Sequence, residues 1–170
     1  HDPRSMPQRF RDLYRNDDIP LPDNFLRQHP FDLGVHQIRD EVLAPYPRKP
    51  AHVREHIADY YAMISHLDHE IGRILDRLEQ RGLAEHTIVV FAGDNGLALG
   101  RHGLLGKQNL YDHSVRVPLV FAGPGIPENT RTDAFAYLFD IFPTLCELTG
   151  TAPPPSLEGL SLANALTDAG

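Results

Sequence analysis

The residues best suited to chemistry are Asp94-Asn95-Gly96 and, further along, Lys107. Asp and Asn oxygens are hard ligands suited to calcium or magnesium, and a lysine ammonium is a point charge suited to an anion. A divalent metal beside an anion-binding lysine points to chemistry on a phosphate or sulfate group. His102 lies between them in the glycine-rich stretch Gly100-Arg101-His102-Gly103. Two competing readings fail. A nucleotide-binding P-loop needs four residues between its outer glycines and a Ser or Thr after the lysine, whereas five separate Gly100 from Gly106 and Gln108 follows Lys107. No serine occupies a Gly-x-Ser-x-Gly elbow, so a Ser-His-Asp hydrolase has no nucleophile here. Cys146 lies in a helical apolar pattern, where cysteine behaves as a small hydrophobe.

These groups need elements to hold them. Thr87-Ile88-Val89-Val90-Phe91-Ala92 is short, apolar and β-branched, the pattern of a buried parallel strand. Such a strand delivers Asp94 to the carboxyl edge of an open α/β sheet, where ligands bind. Upstream, Ile57, Tyr60, Tyr61, Ile64, Leu67, Ile71, Ile74, Leu75 and Leu78 recur at steps of three and four, which predicts a helix over 53–81 stopped by Gly82. Asp68 falls inside that stripe and is expected to have a buried partner. His66 and Glu70, four apart, read as a solvated flank rather than metal ligands.

Downstream, a second strand is expected over 115–121, followed by the turn Gly123-Pro124-Gly125. A helix is expected over 133–148, kinked or restarted at Pro143, with Gly150 as its stop. Leu157, Leu160, Leu162 and Leu166 are expected to pack the tail back on the body. Eight of the fifteen prolines lie in residues 1–50, so that segment is read as an extended, proline-rich wrap anchored by residues such as Phe10, Tyr14 and Phe25. Residues 51–170 are read as the α/β body.

A chain of 170 residues is long enough for a real core. Its net charge of −7 argues against a nucleic-acid partner, and no apolar run approaches the length that spans a membrane. The single cysteine excludes an internal disulfide. The chain opens at His1-Asp2-Pro3 without Met, and a piece of a longer protein is expected.

The ordered strings Phe91-Ala92-Gly93-Asp94-Asn95-Gly96, Gly100-Arg101-His102-Gly103, Gly106-Lys107, Tyr111-Asp112, Arg116-Val117-Pro118-Leu119-Val120 and Gly123-Pro124-Gly125 resemble the second half of a type I sulfatase. Tyr60-Tyr61-Ala62, Asp140-Ile141-Phe142-Pro143-Thr144-Leu145 and Leu157-Glu158-Gly159-Leu160-Ser161-Leu162 agree with the same family. The resemblance implies an α/β class, alkaline-phosphatase-like fold and hydrolysis of sulfate esters of small molecules or carbohydrates. It implies that Asp94 and Asn95 bind calcium or magnesium, and that Lys107 holds the sulfate and its leaving oxygen. His102 matches a substrate-contacting position. His1-Asp2-Pro3 resembles the end of the family's Pro-His-x-Pro segment, whose histidine binds sulfate or assists the leaving group.

The family's nucleophile is a formylglycine made within Cys/Ser-x-Pro-x-Arg, and no such motif occurs here. Formylglycine and the remaining metal-binding aspartates are therefore expected in a preceding part of the protein. The expected identity is the C-terminal portion of a sulfatase, inactive alone and with association between copies as a consequence of its open surfaces. The alternatives are a phosphonate monoester or phosphodiester hydrolase of the same superfamily, and a module that binds anions without turnover.

Overall fold

The computed structural model describes residues 4–34 and 36–167, which cluster as two compact units. The first contains residues up to Arg77 together with Asn95–Val117; the second contains Leu78–Asp94 and the chain from Pro118 onward.

In the first unit the principal element is helix α2, Pro50–Gln80, whose last three residues count with the second unit. Pro50 sits at its start, where a missing N–H costs nothing. Val53, Ile57, Ala58 and Ala62 are buried at helical spacing, and the first three pack with Ile19 and Leu99, flanked by Tyr14, Leu21, Phe25 and Leu97. The proline-rich segment is ordered along this helix with only short helical turns: α1, Gln8–Arg11, and 3-10 turns at Asn16–Asp18 and Glu41–Leu43. Phe10 stacks on His66 at 4.9 Å, the Tyr14 hydroxyl meets Ser65 Oγ at 2.7 Å, and Arg54 Nε donates to the Ile19 carbonyl at 3.0 Å. Asp68 is exposed rather than buried, because the stripe around it is itself open: Leu67 is 52 % and Ile74 68 % exposed. Glu70 pairs with Arg73 and lies 3.8 Å from His66 Nε2, the solvated flank that the spacing implies.

The loop from Asn95 returns to this unit and folds on itself. Ala98 N donates to the Gly106 carbonyl at 2.9 Å and Gly100 N to the Leu104 carbonyl at 2.7 Å, with Leu104 and Leu105 buried inside the turn. Helix α3, Asp112–Val115, closes it. This short helix occupies the start of the expected strand over 115–121. Because Pro118 has no N–H to give a ladder, the strand begins one residue later.

In the second unit, β1, Val89–Ala92, pairs with β2, Leu119–Ala122, in the register Val89↔Ala122 to Ala92↔Leu119. The pairing is antiparallel, which corrects the parallel pairing expected for this run, and Phe91 and Ala92 are exposed rather than buried. A wholly apolar run does not distinguish the two pairings, since both accept β-branched residues. Beyond the sheet, the helix expected over 133–148 is shorter. A 3-10 turn at Leu138–Asp140 leads into α4, Ile141–Leu148. Asp140 causes the late start by accepting the Tyr137 amide at 2.8 Å, a capping contact that keeps the preceding residues extended. Pro143 lies in the first turn of α4, where it takes no bond away. The tail returns through two buried side chains: Asp140 accepts the Leu160 amide at 2.9 Å, and Thr144 Oγ1 accepts the Leu162 amide at 2.8 Å. That leads into α5, Ala163–Thr167, against α4. Leu157, Leu162 and Leu166 are half-buried, but Leu160 is exposed, so its backbone and not its side chain holds this turn.

Candidate functional site

Asp94 follows β1 through Gly93, whose N–H donates to the Pro118 carbonyl at 3.1 Å. Asp94 is exposed, Asn95 is half-buried, and neither side chain hydrogen-bonds to another described residue. Their oxygens are thus free for a ligand, and the division between the two units falls between them. Among the described residues no group of three or more His, Cys, Asp or Glu side chains is placed to hold a metal. An aspartate carboxylate and an asparagine amide oxygen are each of the ligand type that calcium or magnesium takes, and either ion needs about six or more oxygens.

Asn95, His102 and Lys107 fall in the first unit. Lys107 is half-buried, and its ammonium makes no hydrogen bond or ion pair with a described residue. What is fixed is the backbone around it. Glu41, buried, accepts the Leu105 amide at 3.1 Å and the Gly106 amide at 2.7 Å. Arg48, fully buried, pairs with the Glu41 carboxylate, donates to the Gly103 carbonyl at 3.1 Å, and lies 3.7 Å over the Tyr46 ring. On the far side, the Gln108 side chain accepts the Lys107 amide at 3.1 Å and donates to Asp40 Oδ2 at 2.9 Å. Burial alone would raise the Asp40 carboxyl, but the Gln108 and Arg39 hydrogen bonds, with the charges of Arg39 and Lys107, outweigh it and hold Asp40 below its ordinary value. The same crowding pushes the Tyr46 hydroxyl up to about 12, through burial first and then the Glu41 charge.

His102 is held from several directions in a left-handed conformation, φ 55°. Its N–H donates to the Asn24 carbonyl at 2.9 Å, its carbonyl accepts from His29 Nδ1 at 2.9 Å, and Asn24 Nδ2 meets its Nε2 at 3.1 Å. Its ring stacks on Tyr111 at 4.2 Å, and Tyr111 stacks on His113 at 5.5 Å. The Nδ1 of His102 makes no hydrogen bond with a described residue. His29 Nε2 and His113 Nε2 are buried without a hydrogen-bond partner. Burial first, with electrostatic interaction from the His102 and Arg101 side acting in the same direction, holds His113 down at about 4 despite Glu41 and Asp112. His1, expected as a substrate contact, lies outside the described residues.

Sequence reasoning did not single out Asp40, Glu41, Arg48, His29 or His113. The first three stand in the stretch read only as proline-rich wrap. The available signal was two adjacent acids and an arginine in a segment that otherwise lacks a reason for them. His113 sits inside the string Tyr111-Asp112 to Arg116 and was passed over for its neighbours.

Comparison with known proteins gives concordant matches. The family description Sulfatase matches residues 1–151. A sulfatase of Formosa agariphila is 31 % identical over 170 residues, covering 98 % of this chain and 34 % of that protein. The crystal structure of the phosphonate monoester hydrolase of Agrobacterium radiobacter superposes with a TM-score of 0.83 at 27 % identity, over 100 % of this chain and 37 % of that one. BT4656, solved in complex with its substrate D-glucosamine-2-N,6-O-disulfate, gives a TM-score of 0.67 at 31 % identity, over 71 % of this chain and 25 % of that one. The chain thus spans about a third of the length of the curated relative it matches.

Proposed function

Because this chain belongs to the sulfatase family and carries a portion of its alkaline-phosphatase-like α/β fold, we propose that it supplies the sulfate-binding lysine and part of the metal site of a sulfuric ester hydrolase. The observation that carries the reading is Lys107: a half-buried cation whose ammonium makes no hydrogen bond or ion pair with a described residue, on a backbone fixed on both sides. Its ammonium holds the sulfate group and offsets negative charge on the leaving oxygen, an interaction strongest when that charge develops. His102 contributes Nδ1 to the substrate, and His1 assists the leaving group or binds sulfate. Asp94 and Asn95 give oxygen ligands to calcium or magnesium, which when bound supplies positive charge to the group being transferred. The formylglycine nucleophile belongs to a part of the protein beyond this chain. A sulfated sugar or another small sulfate ester is the substrate class, in keeping with the sulfated glucosamine bound by BT4656.

The full-length protein tests this with para-nitrophenyl sulfate and para-nitrophenyl phenylphosphonate side by side. Sulfate turnover is expected to exceed phosphonate turnover. Lys107→Ala should lower it by about a hundredfold or more while the fold persists, since removing a charge-stabilising donor of this kind costs on the order of 3 kcal/mol. Lys107→Arg should not restore it, because a planar fork does not replace a point charge in a fitted site. Near-normal turnover in the alanine variant removes Lys107 from the mechanism. A preference for the phosphonate would favour the second reading, a phosphonate monoester hydrolase, which the whole-chain superposition on the Agrobacterium enzyme supports. No turnover of either ester, with an anion still bound, would favour a non-catalytic module.

A further inference from the structure

We infer that Asp40, Glu41 and Gln108 are positioning residues for Lys107, acting on the reaction only through the placement of that lysine; the inference rests on the sulfate-binding role proposed for Lys107. Two adjacent carboxylates grip the chain on either side of it. Glu41 takes the two backbone amides before Lys107, at 3.1 and 2.7 Å, and Asp40 takes the Gln108 side chain, which in turn takes the Lys107 amide at 3.1 Å. The carboxylates are only 2 % exposed, so they are costly to bury, and Arg48 compensates Glu41 from inside. Packing leaves no slack at this point. A Cβ on Gly106 would stand 2.7 Å from Gln108 Oε1, 2.9 Å from Asp40 Cβ and 3.1 Å from Glu41 Oε1. None of these hydrogen bonds ends on the Lys107 ammonium, whose charge acts on Asp40 without a direct bond and whose donors stay available to a ligand. A lysine side chain is long and flexible, so its reach into a site is fixed by where its Cα is held.

Gln108 provides the decisive test because it is exposed and can be changed without opening the core. In the full-length protein, assayed with para-nitrophenyl sulfate, Gln108→Ala is expected to lower kcat by about tenfold, with KM changed less and the melting temperature held, as for a reacting group displaced by a fraction of an ångström. In a Lys107→Ala background the same change should have no further effect, since the group it positions is gone. Gln108→Glu, which sets a carboxylate against Asp40, should be impaired as well. Adding Asp40→Asn should rescue it by restoring one donor and one acceptor. Glu41→Gln should lower kcat and also speed hydrogen exchange at the Leu105 and Gly106 amides. Wild-type kcat in folded Gln108→Ala and Gln108→Glu, with Lys107→Ala inactive, overturns this inference and leaves the role of Lys107 standing. Equal losses in both backgrounds overturn it too, as the sign of a general packing effect. An active Lys107→Ala overturns the role of Lys107 and this inference together. If Glu41→Gln does not fold, the Gln108 series decides alone.

Discussion

Burial keeps His113 uncharged far below its ordinary pKa of 6.5, down to about 4. The consequence for stability has a definite sign. Between those values the unfolded chain takes up a proton that the folded chain refuses, so stability is complete above about 6.5 and falls as the pH drops towards 4. His56 is lowered as well, by burial and by Arg4, and contributes in the same direction. Replacing His113 with Gln should therefore flatten the loss of stability on acidification. Urea midpoints at neutral pH and at a pH between the two values would show it, and an unchanged pH dependence would contradict the burial of this ring. At this scale the sequence displayed its chemistry unevenly. Asp94, Asn95 and Lys107 stood out by residue type and by position after a strand, and none of their side chains hydrogen-bonds to another described residue. Glu41 and Arg48 were not, since a buried ion pair in a proline-rich stretch looks like two surface charges until its partners, 55 to 65 residues away, are known.

Helix α2 was readable over most of its length, because a periodicity sustained from Ile57 to Leu78, about six turns, leaves no other element that fits. The strands were less so. The run before Asp94 reported a strand but not its partner, and the start of β2 was hidden by a short helix and a proline. Glycines give this scale a sharp test. On Gly96, whose N–H donates to the Ser114 carbonyl at 2.9 Å, a Cβ would overlap the carbonyl oxygen of His113. Gly96→Ala should cost about 1–3 kcal/mol, as overpacking against rigid backbone does. Gly72, inside α2, faces open space, and Gly72→Ala should raise stability by about 0.5–1 kcal/mol through helix propensity alone. Chemical denaturation of the two variants beside the parent measures both. A stabilised Gly96→Ala would mean that the loop does not run against α3.

At the scale of the molecule, each unit shows large apolar side chains to solvent. In the first, Leu67 and Ile74 stand out from α2; in the second, Phe135 is 98 % and Leu160 77 % exposed, and Tyr137 and Phe139 stack at 5.2 Å while mostly uncovered. A sheet of two strands adds open edges. Isolated residues 1–170 should therefore associate with rising concentration and bind an apolar dye, and sedimentation velocity would report it. A monomer at every concentration, silent towards the dye, would count against these exposures. The sequence could show that these residues were apolar but not that they lacked cover, since burial depends on partners that periodicity does not name.

The grip on the lysine loop also has a timetable. Glu41 waits for an amide 65 residues further along, which at ribosomal speeds of about 5–20 residues per second is a delay of roughly 3–13 s. During that interval Arg48, seven residues from Glu41, has only its near neighbours to satisfy it. The segment that anchors the site thus leaves the ribosome well before the site it anchors. Until residues 103–108 arrive, the nascent chain carries a charged pair with its final hydrogen bonds still unmade.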